Sequence, residues 1–255
     1  MTTFDPTRVA APVPVIYREE VRSTNDVAAL LGREGAAHLT TVIADRQTAG
    51  RGRLGRAWST FPGQSLAFSV VVRDVDDALP LVACLAVRDA VRALTGADLR
   101  VKWPNDLLWQ GRKLCGVLTE SFPTGQGNGR FYVLGIGLNV NTPADAPDAV
   151  VFSTLEQACG QPLEREAVLG AVLTQLEKSV QTLRHHGFST AYAHAYAAAC
   201  DTLGQWVRWV DGGRNVQGRA VSVSDRGGIL VQTDDGLVEC LAGDMIVVGA
   251  AHEVA

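Results

Sequence analysis

A segment of arginine and glycine between residues 46 and 58 constrains this chain more than any other stretch of its sequence. The segment holds four arginines and three glycines, has no acidic residue, and offers Leu54 as its one large aliphatic side chain. Glycine loses much backbone freedom when it becomes ordered, and the like charges of the arginines repel one another. The segment therefore cannot supply a core element, and it predicts a loop between two core elements that an anion holds in place.

Two interpretations of this loop remain open from the segment alone. Arginine side chains offer paired donors to carboxylate or phosphate groups, and glycine allows backbone N–H groups to approach such an anion closely. These properties favour an anion-binding loop. A solvated basic turn, or a contact with nucleic acid, would explain the same residues.

Composition excludes several classes of protein. The 255 residues are 47% hydrophobic, which allows a sizeable core, and the formal net charge of −4 is unusual for a general nucleic-acid binder. An odd number of cysteines without C-x-x-C spacing predicts reduced thiols in the cytoplasm, and the histidines lack metal-ligand spacing. Neither a secretory signal nor an apolar run long enough to cross a bilayer is visible, so we expect no membrane contact.

Apolar periodicity predicts the elements around the loop. Residues 65–72 place Leu66, Phe68 and Val70 in alternation, which predicts a strand with one face on the core. Residues 79–94 repeat apolar side chains at helical spacing and stop at Gly96, a favoured helix end. Further strands are predicted at 15–17, 40–44, 99–103, 107–109, 113–120 and 131–140, turns or loops at 110–112, 123–129 and 142–150, and helices at 163–184 and 188–200.

The pattern changes after residue 203, where five short β-runs occur within fewer than fifty residues. Short strands of this density predict a small, separately cored barrel of SH3 type over 203–249. We place a domain boundary near 201, which divides the chain into a catalytic domain at 1–201 and a C-terminal domain at 202–255. The predicted fold class is α+β, with a mixed sheet and flanking helices in the first domain.

Other polar residues and glycines accompany the loop at the ends of predicted strands. Ser23 and Asp26 match a capping box, Pro104 fixes a turn after Trp103, and Lys113 opens a strand. Each of these residues has an ordinary structural explanation, as an N-cap, a turn residue or a solvated lysine. Cations, amides and glycines at several strand ends of one sheet nevertheless suggest a pocket for a small molecule and a nucleotide.

These motifs resemble those of bacterial biotin–protein ligases. The resemblance rests above all on the run Gly-Arg-Gly-Arg-x-Gly-Arg at 50–56 together with Lys-Trp-Pro-Asn-Asp at 102–106. It extends over about residues 15–250 and implies a class II synthetase-like catalytic domain with an SH3-like C-terminal domain. The regulatory members carry an N-terminal DNA-binding domain, for which this chain has no room before Ser23. The resemblance therefore implies a ligase that binds no DNA.

The resemblance also implies a two-step reaction. Biotin attacks the α-phosphate of ATP to give biotinyl-5′-adenylate, and a lysine of the biotin carboxyl carrier protein of acetyl-CoA carboxylase then displaces AMP. Both substrates are anionic, so positive charge and Mg²⁺ are needed between them. The implied cofactors are ATP, biotin and Mg²⁺, the implied location is the cytoplasm, and the oligomeric state is a monomer or a homodimer.

The family's functional residues transfer to three overlapping sets, with no metal ligands. The implied catalytic residues are Lys113, Arg53 and Asp106, where Asp106 either orients Lys113 or assists the acceptor lysine. The implied biotin contacts are Ser23, Thr24, Asn25, Gln47, Gly50, Arg51, Gly52, Arg53, Lys113 and Gly116. The implied ATP and adenylate contacts are Arg51, Arg53, Arg56, Trp58, Lys102, Asn105, Lys113 and Asn139.

Two other functions are compatible with parts of the sequence. A lipoate or octanoate ligase or transferase shares the related fold, but it needs a longer apolar tunnel and usually lacks the full arginine loop. A nucleic-acid module would use the arginine loop as its basic patch, and its binding would depend steeply on salt.

Overall fold

The computed structural model describes residues 4–124, 129–143, 152–211 and 213–248. The turn predicted at 123–129 and the loop predicted at 142–150 fall largely outside these residues, as does the end of the C-terminal domain. Two sheets and five α-helices form the described part of the chain. Within it, no helix is both long enough and apolar enough to cross a bilayer.

The first sheet is mixed and has seven strands in the order β1-β2-β3-β7-β6-β5-β4. Its neighbouring strands are antiparallel except for the parallel pair β1 and β2. A hairpin joins β5 to β6 through Gln110 and Gly111, both of which have positive φ, as predicted. The strands are β1 (Val15–Val21), β2 (Thr41–Gln47), β3 (Ser65–Arg73), β4 (Arg100–Lys102), β5 (Asp106–Trp109), β6 (Arg112–Pro123) and β7 (Arg130–Asn139).

Helices cover both faces of this sheet. On one face, α1 buries Ala28 and Ala29 in a small cluster with Val71 and Phe131. On the other face, α4 packs over β3, where Leu66 and Phe68 are buried, and α2 packs over β5 and β6. The helices are α1 (Thr24–Arg33), α2 (Leu79–Thr95), α3 (Leu155–Cys159), α4 (Arg165–Ala191) and α5 (Ala193–Ala199).

The prediction that β3 has one face on the core is therefore wrong, because residues 65–72 are buried on both faces. Alternation does not predict this burial, because the intervening residues Ala67, Ser69 and Val71 are small or apolar enough to be covered by a helix on the second face. No pattern in the sequence predicts α3, which has five residues. The two predicted helices after residue 163 are present, although α4 continues to Ala191 across a break at Gly187.

The second sheet confirms the five strands predicted after residue 203. It is antiparallel in the order β11-β10-β9-β8-β12. Its buried residues, among them Val207, Trp209 and Ile229, belong to the same apolar cluster as the core of the first sheet. The predicted small β-unit is therefore present, and only the expectation that it has a separate core is wrong. The strands are β8 (Trp206–Asp211), β9 (Arg214–Val223), β10 (Ile229–Thr233), β11 (Gly236–Cys240) and β12 (Asp244–Val247).

Candidate functional site

A row of small residues crosses four neighbouring strands of the first sheet. Ala44 on β2 lies opposite Ala67 on β3, Ala67 lies opposite Gly137 on β7, and Gly137 lies opposite Gly116 on β6. Residues in register share a face of the sheet, and this row is on the face that carries α1. The row leaves a strip of sheet almost bare of side chains, which forms the floor of a cavity.

The indole ring of Trp58 lies on this strip. A Cβ atom added to Gly137 would come within 2.1 Å of Cε2 of the ring, and one added to Gly116 would lie 3.1 Å from Cζ3. Glycine is therefore required at position 137 for the close approach of the ring, as a glycine inside a strand suggests. The indole Nε1 is buried and has no hydrogen-bond partner within the described part of the chain.

The cavity over the strip encloses about 140 Å³ and is lined by most of the residues predicted from the sequence. Sites for drug-sized ligands enclose roughly 300–1,000 Å³. A ligand of that size would fit this cavity only if Trp58 or the arginine loop moved. The predicted residues that line the cavity are Ser23, Thr24, Asn25, Gln47, Arg51, Gly52, Arg53, Arg56, Trp58, Lys102, Asn105, Asp106, Lys113 and Gly116.

A network of neutral polar groups fixes one end of the cavity. Oε1 of Gln47 accepts hydrogen bonds from the backbone N and the Oγ1 of Thr24, at 2.9 and 3.2 Å. The hydroxyl of Ser69 lies 2.7 Å from Oγ1 of Thr24 and 2.5 Å from Oδ1 of Asn25, whose Nδ2 donates to Glu120 at 2.6 Å. These side chains are held in place by one another, and they present hydroxyl and amide groups to a ligand.

The N-terminus of α1 contributes to this end, but not through the predicted capping box. Ser23 is the N-cap residue, yet its side chain makes no capping hydrogen bond. It is 3% exposed and lines the cavity. Asp26, the other half of the predicted box, instead forms an ion pair with Arg51 at 2.7 Å. The charge of the loop arginine thus outweighs local capping as the partner for this carboxylate.

Ion pairs and hydrogen bonds hold the arginine loop over the cavity. Besides Asp26, Arg51 contacts Glu120 at 3.4 Å, and the hydrogen bond to Asp26 raises the pKa of its guanidinium. Arg53 donates to Oδ1 of Asn105 at 3.2 Å and to the carbonyl of Gly243, and burial lowers its pKa.

Leu54, the one large aliphatic side chain of the loop, does not anchor it to the core. This side chain is 65% exposed, and electrostatic contacts take its place. Arg56 forms an ion pair with Asp244 at the start of β12, so the loop also reaches the second sheet.

Lys113 and Asp106 form the central ion pair of the cavity. The ammonium Nζ lies 2.7 Å from Oδ1 of Asp106 and 5.4 Å from the centroid of the Trp58 ring. The preceding residue, Asn105, is fixed by two hydrogen bonds with the backbone of Val117 on β6, at 2.6 and 2.9 Å. The turn that carries Asp106 is therefore rigidly attached to the strand that carries Lys113.

Two predicted site residues lie outside the cavity. The buried Asn139 donates from Nδ2 to the carbonyl of Ser153 at 3.2 Å, which ties β7 to the segment before α3. Gly50 lies behind the loop, where an added Cβ would come within 2.4 Å of the carbonyl of Trp58. The structure thus gives each of them a role in shaping the backbone around the site.

Sequence reasoning predicted Asp106 but missed the roles of three other acidic residues and the contribution of the second sheet. Asp26 was predicted as a capping residue, and Glu120 and Asp244 were given no role. Met245 also lines the cavity beside Asp244, although both are far in sequence from the other lining residues. Only the excess of unpaired positive charge in the loop signalled that carboxylates had to lie nearby.

Comparison with known proteins identifies relatives of both parts of the chain. Residues 17–140 match the model of the biotin/lipoate A/B protein ligase family, and residues 202–248 match the biotin protein ligase C terminal domain. The chain is 34% identical to a biotin–[acetyl-CoA-carboxylase] ligase of Mycobacterium tuberculosis, over 80% of this chain and 77% of the relative. It is 32% identical to the bifunctional ligase/repressor BirA of Bacillus subtilis, over 91% of this chain and 73% of that relative.

A similar solved structure is that of a biotin protein ligase from Aquifex aeolicus in complex with biotin and ATP. It superposes with a TM-score of 0.79 at 30% identity, and the alignment covers 93% of this chain and 99% of that one. The similarity therefore extends over both sheets.

We predict that Glu120→Gln loosens the arginine loop. The substitution removes the charge that contacts Arg51 and weakens the acceptor for Asn25, so local opening becomes less costly. Trypsin cleavage after loop arginines should then become about fivefold faster or more, given roughly 1.5–3 kcal/mol for a charged hydrogen bond. The matched control is Glu239→Gln, which removes the carboxylate partner of the exposed Arg226 on the second sheet. Equal cleavage rates in the wild type and Glu120→Gln would contradict the anchoring.

Proposed function

The chain belongs to the biotin protein ligase family, and from this membership we propose how its cavity joins biotin to a protein at the expense of ATP. It is a biotin–[acetyl-CoA-carboxylase] ligase. The observation that carries the proposal is the composition of the cavity, which combines a neutral polar network, a bare strip of sheet and a cluster of cations. These three features match the ureido ring, the bicyclic body and the carboxylate of biotin in turn.

We place the ureido ring at the polar end of the cavity. The hydroxyl and amide groups of Ser23, Thr24, Asn25 and Gln47 are neutral donors and acceptors, which suit a neutral urea better than charged groups would. The strip at Ala67, Gly116 and Gly137 would lie beneath the ring system once the Trp58 indole, which rests on Gly116 and Gly137, has moved aside. The carboxylate then extends towards Lys113 and the arginine loop.

In the first step, a carboxylate oxygen of biotin attacks the α-phosphorus of ATP. A phosphorus–oxygen bond forms to biotin, the bond to the β-phosphate oxygen breaks, and pyrophosphate leaves. Two anions must meet, so fixed positive charge that stabilises the developing charge at phosphorus lowers the barrier. Lys113 bridges carboxylate and phosphate in this proposal, with Arg51 and Arg53 on the phosphate side and Arg56, Lys102 and Asn105 around the nucleotide.

In the second step, the amine of an acceptor lysine attacks the carbonyl carbon of the adenylate. The carbon–nitrogen bond forms, the bond to the phosphate oxygen breaks, AMP leaves, and the amine loses a proton. We propose that Asp106 orients Lys113, because the two charges are 2.7 Å apart. The acceptor belongs to the biotin carboxyl carrier protein of acetyl-CoA carboxylase in this proposal, which rests on the names of the relatives.

Mg²⁺ fits the reaction as a companion of ATP. Within the described residues, no group of three or more His, Cys, Asp or Glu side chains is arranged to hold a metal ion. Mg²⁺ is commonly held by one or two carboxylates together with substrate phosphates, so such a group is not required. Asp106 and Asp244 are carboxylates that line the cavity, and the ion would supply further positive charge there.

The cellular setting follows from the cysteines. All five are free thiols, and Cys84, Cys115, Cys200 and Cys240 are buried. Free thiols in a chain of this size suit a reducing compartment, so we propose the cytoplasm. A catalytic domain at 1–201 and a C-terminal domain at 202–255 remain the proposed division, and a monomer or homodimer the proposed assembly.

We predict that the protein releases pyrophosphate when it is incubated with ATP and biotin, but not with ATP and lipoate. Lipoate lacks the urea that the neutral polar network would bind, and buried polar groups left unpaired are costly. A coupled pyrophosphate assay with each acid alone measures the preference. Release with lipoate only would overturn the proposed substrate.

We predict that Lys113→Ala abolishes pyrophosphate release while the fold is retained. A charge used mainly in the transition state lowers the rate more than ground-state binding, so calorimetry should still detect biotin. The matched control is Lys178→Ala, which removes an exposed lysine of α4. Near-normal turnover of Lys113→Ala would show that another group performs the central role.

We predict that Arg53→Gly still forms some adenylate but releases it early. Loss of the bonds to Asn105 and Gly243 should shift the loop towards an open state, which exposes the reactive anhydride. Released adenylate acylates nearby lysines, so a bystander protein mixed with the variant, ATP and biotin should become biotinylated on a blot. Arg46→Gly, which removes an exposed partner of Glu20, is the control. If adenylate is retained as long as in the wild type and bystanders stay unlabelled, Arg53 has a static role.

A further inference from the structure

The turn that carries Asn105 and Asp106 is supported by residues that lie far along the chain. The backbone N of Trp103 donates to Oγ1 of Thr202 at 3.0 Å, and its indole Nε1 donates to the carbonyl of Gly227 at 3.0 Å. The hydroxyl of Tyr196 donates to the carbonyl of Pro104 at 3.1 Å. The C-terminal third of the chain therefore holds this turn from beneath the cavity.

Tyr196 is the most deeply buried of these supports. Its residue is 0% exposed, and its ring packs edge-on against Phe188 with the centroids 6.1 Å apart. Burial raises the pKa of its hydroxyl well above the ordinary value, so the group stays protonated and donates. A buried ring fixed by an aromatic neighbour can deliver a hydroxyl to one place with little freedom.

The two residues that follow Pro104 each contact one cation of the site. Asn105 accepts from Arg53 at 3.2 Å, and Asp106 pairs with Lys113 at 2.7 Å. A shift of the Pro104 carbonyl would move these acceptors relative to two cations that come from other elements. Misplacement of reacting groups by a fraction of an ångström to 1 Å lowers rates substantially.

We propose that Tyr196 is a positioning residue for adenylate formation, acting through the Pro104 carbonyl on Asp106. The proposal rests on the function proposed above. It predicts an effect on the rate of the first step and little effect on biotin binding. The residues placed around the ureido ring, Thr24, Asn25 and Gln47, are held instead by bonds among α1, β2, β3 and β6.

Tyr196→Phe tests the proposal because it keeps the ring and removes only the hydroxyl. The matched control is Tyr192→Phe, in which the lost hydroxyl donates to the carbonyl of Ser179 at 2.9 Å, away from the turn. We expect Tyr196→Phe to lower kcat for pyrophosphate release by about fivefold to tenfold, the equivalent of one hydrogen bond, with KM for biotin within twofold of the wild type. Tyr192→Phe should retain the wild-type kcat.

A double-substitution cycle with Asp106→Asn separates positioning from a general structural effect. If Tyr196 acts through Asp106, its effect on kcat should shrink to less than twofold when Asp106 has already been replaced. The full fivefold to tenfold effect in both backgrounds would overturn the proposal, and so would a wild-type kcat in Tyr196→Phe. If Tyr196→Phe does not fold, Thr202→Val removes a neighbouring support of the same turn and should lower kcat in the same way.

Hydrogen exchange supplies a readout that does not depend on activity. The amides of Trp103 and Val117 are bonded to Thr202 and Asn105, so they report on the turn. Both should exchange faster in Tyr196→Phe than in Tyr192→Phe, and equal exchange would contradict the positioning role. A wild-type chain that releases no pyrophosphate with biotin would contradict the proposed function alone, because the exchange result would still decide whether Tyr196 holds the turn.

Discussion

The bare strip across the first sheet is the constraint on which the site depends. A sheet with helices over both faces normally fills each face with side chains, as β3 does where it meets α4. At Ala44, Ala67, Gly137 and Gly116 the register of four strands brings small residues together, so the chain between β2 and β3 can return onto the sheet. The indole of Trp58 occupies part of the space, and the cavity occupies the rest.

Charge pairing then determines how the loop lies over this strip. Arg51, Arg56 and Lys113 each contact a carboxylate, and Arg53 contacts neutral oxygens of Asn105 and Gly243. A substrate anion must compete with these internal partners, and a single weak anion gains little from doing so. A carboxylate and a polyphosphate together can replace several contacts at once.

Local patterns in the sequence predicted most of the elements and most of the cavity lining, and failed where distant residues decide the outcome. Gly96 ends α2 and the Gln110–Gly111 turn closes a hairpin because backbone conformation is a local property. Asp26 matches a local capping pattern, yet its carboxylate pairs with Arg51, which lies 25 residues further along the chain. The role of Asp244 could not be predicted, because its partner Arg56 is 188 residues distant and no motif links them.

The second sheet is coupled to the site through packing as well as through charge. Its buried residues join the core of the first sheet. In the segment that leads to it, Cys200 forms an isolated β-bridge with Val101 on β4. The next residue, Asp201, donates its backbone N to the carbonyl of Val101 and pairs with Arg100. A unit joined in this way cannot shift without moving β4 and the turn that follows it. The position of Asp106 beside Lys113 is therefore a property of both sheets, although every residue of that ion pair belongs to the first.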